Sequence, residues 1–264
     1  MPQNLPKAPI QRTVDARTLY LASPGRLRMT STGEALVINN EAGSVQRIPV
    51  TRLLRIVSNI HAEWSGAALA LCMERGIAIT WVGSRDESLG HLWPVRCQPA
   101  PLADVLDILA TDDPEWPEVY GHWLKRERLQ VLNRWAAERE SAGAPVSAEE
   151  WQRAKRAWVY LGEVAEVLPK RLRSMAEALV ASSLSKQGLR PRYWGLAEDP
   201  IALASDLTQL LWAGMSLCSG PLAAAIDRPC EAAALFEGWS RSCSDLLQTH
   251  LLSLQGRARR QLDA

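Results

Sequence analysis

The sequence predicts an α+β fold, a small β-rich part over residues 1–99 followed by a larger all-helical part over residues 100–264. Three observations carry that reading. Short apolar segments punctuated by Gly, Asn and Ser fill residues 18–50. Beyond Leu102 the apolar residues recur at helical spacing almost to the C-terminus. Between the two, Pro94, Pro99 and Pro101 break the chain. A run of strands and then a run of helices is the pattern of an α+β architecture.

The segments TLYLA, RLRMT, ALVINN and VQRIPV read as strands of one small antiparallel sheet, separated by SPG, STGE and EAGS. TRLLRIVSN reads as a further strand, and Ser65 to Arg75 as a helix stopped by Gly76. IAITWVG follows as a buried strand and HLWPV, beginning at His91, as another. In the second half PLADVLDILA and PEVYGHWLKRERLQVLNRWAAERE are helices. SAEEWQRAKRAWVYLGEVAEVL is a helix whose Ser147 and Glu150 stand at capping-box spacing. PKRLRSMAEALVASSLSKQ ends at Gly188, a natural C-terminal stop. A helix carrying Asp206 and a final helix from about Glu231 to Arg259 complete the chain.

With 47% apolar residues the chain can bury a sizeable core. A formal charge of +1 provides no global basic field, so any nucleic-acid contact must come from local patches. Arg dominates the cations, 25 to 5 over Lys, and its planar fork suits phosphate, although genome composition explains the bias equally well. Five widely spaced cysteines without a Cys-x-x-Cys pair fit reduced thiols in a cytoplasmic protein. No apolar run approaches the roughly 20 residues of a membrane span. Of eleven tryptophans, those at apolar positions such as Trp81, Trp135, Trp158 and Trp239 read as core.

Candidate chemistry is sparse. His61, His91, His122 and His250 are isolated from one another, which leaves a zinc cluster unsupported. Neither a nucleophile-elbow phrase nor a Gly-rich phosphate loop is present. Phosphate-binding candidates are better supplied: Lys125 and Arg128 three residues apart on a helix, Lys170, Arg171 and Arg173 in PKRLR, and Arg190 and Arg192 in GLRPR beside Tyr193 and Trp194. Each cluster reads equally well as the solvated face of an amphipathic helix.

Several phrases occur in the order found in a known family. TLYLASPGRL resembles its leucine-rich first strand and turn; RIPVTRLLRIVSNIHAEWSGAALALCMERGIAITWVG resembles its most specific block; LKRERLQVLNRW resembles its long helix. GLRPRYWGLAEDPIALASDLTQLLW resembles its Gly-Leu-Asp-Pro turn, its Gly-Phe-Leu-His phrase and its Asp-Leu helix. The family is that of the CRISPR-associated adaptation integrases, the Cas-one endonucleases. The resemblance implies spacer acquisition in antiviral defence, DNA binding, a homodimer formed through the β-rich residues 1–99, a small Cas-two-type partner and Mg or Mn as cofactor.

In that family a Glu, a His and an acid hold the metal. Carried over, the His position falls on Glu198, or on Ala197 if the extra residue before Gly195 is placed differently. Asp206 matches the Asp-Leu pair, and Gln209 stands where the acid is expected. Glu163 and Glu166 are both open for the remaining Glu. Glu198 and Asp206 are thus the metal-ligand candidates, and Glu198, Asp206 and Gln209 the positions of the catalytic site. A hard cation wants several oxygen donors, charged ones above all, so these substitutions imply metal-dependent nuclease chemistry weakened or lost. The rival readings are an active enzyme with relocated carboxylates and a protein-only scaffold.

Overall fold

The computed structural model describes residues 17–22, 25–93, 101–164, 170–189, 201–218, 229–242 and 244–264. Among the described residues eight strands precede almost all of the helix. They are β1 (Arg17–Leu21), β2 (Leu27–Thr32), β3 (Ala35–Asn40), β4 (Val45–Pro49), β5 (Leu53–Asn59), β6 (Glu63–Trp64), β7 (Ala78–Val82) and β8 (Ser88–Leu92). They form two four-stranded sheets, in the orders β1-β5-β7-β8 and β4-β3-β2-β6.

The single antiparallel sheet expected over residues 18–50 is therefore divided. β2, β3 and β4 form the antiparallel meander, but β1 leaves it and pairs in parallel with β5. The physical reason lies in β5, LLRIVSN, most of whose residues are buried, as in a strand covered on both faces. Such a strand needs neighbours on both edges, and β1 and β7 supply them in parallel. The β2–β3 hairpin turns through Gly33, whose φ of 57° places a residue without a Cβ at the first central position of a two-residue loop.

Helix α1 (Gly66–Glu74) crosses from the meander back to β7. Ser65 caps it, its hydroxyl accepting from the Ala68 amide at 3.2 Å, and Gly76 at φ 71° ends it. Between the sheets lies one core built on Met29, Leu36, Ile56, Ile77 and Ile79. The Cys72 thiol belongs to it, and burial pushes its pKa up to about 12, so it is an inert packing group.

The helices are α2 (Pro101–Asp112), α3 (Trp116–Ser141), α4 (Ala148–Lys155), α5 (Lys170–Lys186), α6 (Leu203–Cys218), α7 (Pro229–Ser242) and α8 (Ser244–Leu262). They share a second core around Leu106, Trp116, Leu132, Trp158, Leu184, Leu207 and Phe236. The helix expected to continue through 147–168 stops early. After α4, capped as expected by the Ser147 hydroxyl on the Glu150 amide, the chain widens into a π-helical segment, Arg156–Leu161, and ends at Gly162 with φ 72°. The final helix expected over 231–259 is two helices, α7 and α8. His91, expected to open a strand, sits next to the end of β8.

Helix α5 packs against β5 and β7 and joins the halves. Arg171 meets Asp86 of the β7–β8 loop at 2.9 Å, and the Ser174 hydroxyl donates to the Asp86 carbonyl. On β5 the buried Arg55 meets Glu237 of α7 at 2.8 Å, and the Tyr20 hydroxyl donates to the same carboxylate at 2.6 Å. Among the described residues no helix is long and apolar enough to cross a membrane.

Candidate functional site

Asp206 and Gln209 project from consecutive turns of α6 toward α3, as the spacing of three predicts. What faces them is Arg128, which the sequence offered as a phosphate contact. Its guanidinium lies 3.9 Å from an Asp206 oxygen and donates to Gln209 Oε1 at 3.3 Å. It also sits 5.2 Å above the Trp158 ring, and it closes on Gly162, where an added Cβ would come within 3.0 Å of the guanidinium. The Trp158 indole donates to the Arg128 carbonyl at 2.9 Å and fixes the backbone from which the side chain departs. With 13% and 15% of their side chains exposed, Arg128 and Asp206 form a largely desolvated pair.

The second Asp206 oxygen accepts from the Tyr120 hydroxyl at 2.8 Å. Burial raises the Asp206 pKa, and the Tyr120 hydrogen bond and the Arg128 charge only partly offset it. The pocket thus makes ionisation of this carboxyl harder than it is in water. A divalent cation needs the reverse: several ionised oxygens facing an open position. Here one carboxylate is engaged by a phenol and a guanidinium, the next oxygen is an amide, and the guanidinium fills the space between them. These residues do not fit the metal that the resemblance implies. Among the described residues no group of three or more His, Cys, Asp or Glu is placed to hold an ion.

The remaining sequence candidates are scattered. Glu163 is exposed directly after Gly162, while Glu166, Glu198, Arg190 and Arg192 lie outside the described residues. Lys125 and Lys170 are exposed. Arg171 is tied to Asp86, and Arg173 approaches Glu177 at 3.7 Å, so both are partly neutralised within the chain.

One constellation escaped the sequence. His250, read as isolated, meets Glu127 at 2.7 Å in the interior. The other Glu127 oxygen accepts from Ser253 Oγ at 2.7 Å and from Arg126 at 2.9 Å, and the Trp123 indole donates to the same serine at 3.1 Å. Burial alone would raise the Glu127 pKa, but the hydrogen bonds from His250, Ser253 and Arg126 more than offset it and hold the carboxyl below its ordinary value. Both Ser253 and His250 engage the carboxylate rather than each other, so this is a clasp between α3 and α8 and not a nucleophile–base pair. A signal for it was present. Glu127 falls on the buried stripe Tyr120, Trp123, Glu127, Val131, and His250 on the stripe Leu247, His250, Leu251, Leu254. A polar, ionisable residue on each of two apolar stripes calls for a partner.

The architecture and the sequence point to the same relatives. Residues 19–139 match the sequence model of the family described as "CRISPR associated protein Cas1". Over those residues the chain is similar to the Cas1 family. Solved Cas1 structures extend the likeness of fold to nearly the whole chain. A Cas1 protein from Thermotoga maritima superposes with a TM-score of 0.67 at 13% identity, covering 92% of this chain and 97% of that one. TtCas1 in complex with DNA gives 0.61 at 15% identity, with 92% of each chain covered. A Cas6-RT-Cas1–Cas2 complex gives 0.55 at 14% identity, covering 99% of this chain and 37% of the larger one. No curated protein matches. The expected plan, a β-rich region followed by a mostly helical one, is the Cas1 fold.

Proposed function

We propose that this Cas1-like chain is a DNA-binding component of CRISPR adaptation, the step that acquires spacers, in which metal-dependent endonuclease and integrase chemistry has been weakened or lost. The observation that carries the reading is the Arg128 guanidinium lodged against Asp206 and Gln209. An internal cation there supplies the charge balance that a metal ion would otherwise supply, and it repels a second cation. The DNA bound by TtCas1 and the Cas2 present in the Cas6-RT-Cas1–Cas2 complex support DNA and a small Cas2-type protein as partners. In this reading residues 1–99 form a dimerisation module, residues 100–264 a catalytic-type domain with a degenerate site, and the protein works in the cytoplasm as a homodimer. Lys125, Lys170, Arg190 and Arg192 are the phosphate contacts of the helical part, and Glu198 is no longer a ligand.

The test is an assay of branched and linear DNA with Mg²⁺ or Mn²⁺, together with DNA binding measured without metal. The expected result is salt-sensitive binding and no metal-dependent cutting or strand transfer. Metal-dependent cleavage that disappears in Asp206→Ala would establish the rival, an active enzyme with relocated carboxylates. Absence of DNA binding would point to a protein-only scaffold.

A further inference from the structure

The phosphate contacts that the sequence placed on α5 are partly spent inside the chain, but three arginines of the β-rich part are not. Arg17, Arg47 and Arg52 line one groove of about 460 Å³ with Thr18, Leu19, Gln46, Ile48, Pro49 and Leu53. The groove runs between the edge strand of each sheet, β1 on one side and β4 on the other. Strand register explains the convergence: Arg17 stands opposite Leu53, the neighbour of Arg52, and Arg47 faces Val37 from the outer strand of the meander. A bulge between Arg17 and Thr18 re-aims the start of β1.

All three arginines are exposed, and among the described residues none is within ion-pair distance of an acid. No acidic residue lines the groove. The wall contains an unmet polar group as well, since Thr18 Oγ1 is buried with no hydrogen-bond partner. Three like charges gathered in one concavity repel one another unless an anion joins them. Guanidinium forks favour phosphate oxygens, which they engage through two parallel hydrogen bonds.

We propose that this groove between β1 and β4 is a binding track for the sugar–phosphate backbone of nucleic acid, separate from the Asp206 pocket and contacting phosphates through Arg17, Arg47 and Arg52. The proposal rests on the DNA-binding reading above and adds to it the surface that carries the contact. Backbone neutralisation holds DNA without reading its sequence, so affinity depends on salt and hardly on base composition.

The experiment titrates a fluorescent DNA duplex with the full chain across a range of NaCl concentrations. It compares the unaltered protein with the triple variant Arg17→Gln, Arg47→Gln, Arg52→Gln, with the corresponding triple Lys variant, and with Lys125→Gln, Lys170→Gln. Urea midpoints verify that each variant folds. The Gln triple is expected to lower the slope of log K against log salt by about 2–3 and to weaken binding on the order of 100-fold near 0.1 M salt. The Lys triple should recover most of that slope. Unaltered protein that binds DNA while a folded Gln triple keeps the full slope overturns the groove and leaves the DNA-binding reading standing. An unaltered protein that binds no DNA overturns both. Poly-glutamate of matched charge held as tightly as DNA through the same arginines would replace nucleic acid by an acidic polypeptide as the occupant.

Discussion

Replacing Arg128 with Met keeps most of the buried stem and removes the guanidinium, so it isolates what that group does between Asp206 and Gln209. Three interactions disappear: the stacking on Trp158 at 5.2 Å, the long hydrogen bond to Gln209 at 3.3 Å, and the pair with Asp206 at 3.9 Å. The first two are worth about 0.5–2 and about 1 kcal/mol. Removing one partner of a largely buried ion pair costs about 3 kcal/mol or more when the other stays charged. Asp206 has an escape from that cost. Its pKa is already raised by burial, and loss of the Arg128 charge raises it further, so the carboxyl can protonate instead. The sign follows. Below the unfolded Asp value of about 3.9 the acid is neutral in both proteins, and only the stacking and hydrogen bond are missing. As pH rises from there through the elevated folded pKa of the variant, the penalty grows. Urea unfolding across about pH 4–8 should therefore show Arg128→Met destabilised by about 1.5–3 kcal/mol at the acid end, with up to about 3 kcal/mol more near neutrality. A loss that does not vary with pH, or a variant more stable than the parent near neutrality, would refute the internal-cation argument.

Further outcomes follow from the same contacts. Glu127→Ala should cost about 3–5 kcal/mol in urea, because it strands the donors of His250 and Ser253 that the carboxylate accepts from, and Glu127→Gln should cost less. Because the Glu127 pKa is depressed, its contribution is present above the unfolded carboxyl value and is lost as pH falls through the folded one; the Ala variant should show a flatter acid limb. Tyr120→Phe removes the donor at 2.8 Å from Asp206, for an expected loss of about 1–2 kcal/mol and a further upward shift of the Asp206 titration by NMR. Glu237→Ala leaves Arg55 buried with no anion and should loosen the contact between β5 and α7, read as about 3 kcal/mol in urea and faster amide exchange in both elements.

The candidate site was partly legible because its spacing is local. Asp206 and Gln209 lie three apart on one helix, and a period of 3.6 puts them on one face whatever else the chain does. Arg128 belongs to another helix, 81 residues from Gln209, and nothing in LKRERLQVLNR separates a guanidinium that meets DNA from one that turns inward. The same limit hid the pairing of His250 with Glu127 across 123 residues, although the apolar stripes carrying both were visible. It hid the division of the strands too. Alternation and turn residues announce that TLYLA is extended, but strand propensity does not say which sheet will accept it.

The sequence by itself determined the order and kind of most elements, the cap at Ser147, and the stops at Gly76 and Gly188. All of these rest on interactions within a few residues, where backbone sterics and helical or strand periodicity decide. The tertiary structure alone decided that β1 joins β5, that Arg171 is spent on Asp86, and that three arginines from β1, β4 and the turn before β5 share a groove. Above all it decided that Arg128 faces Asp206. Those outcomes depend on burial and on charges brought together from distant parts of the chain, and the energy of a charge is fixed by its neighbours in space, not by those in sequence.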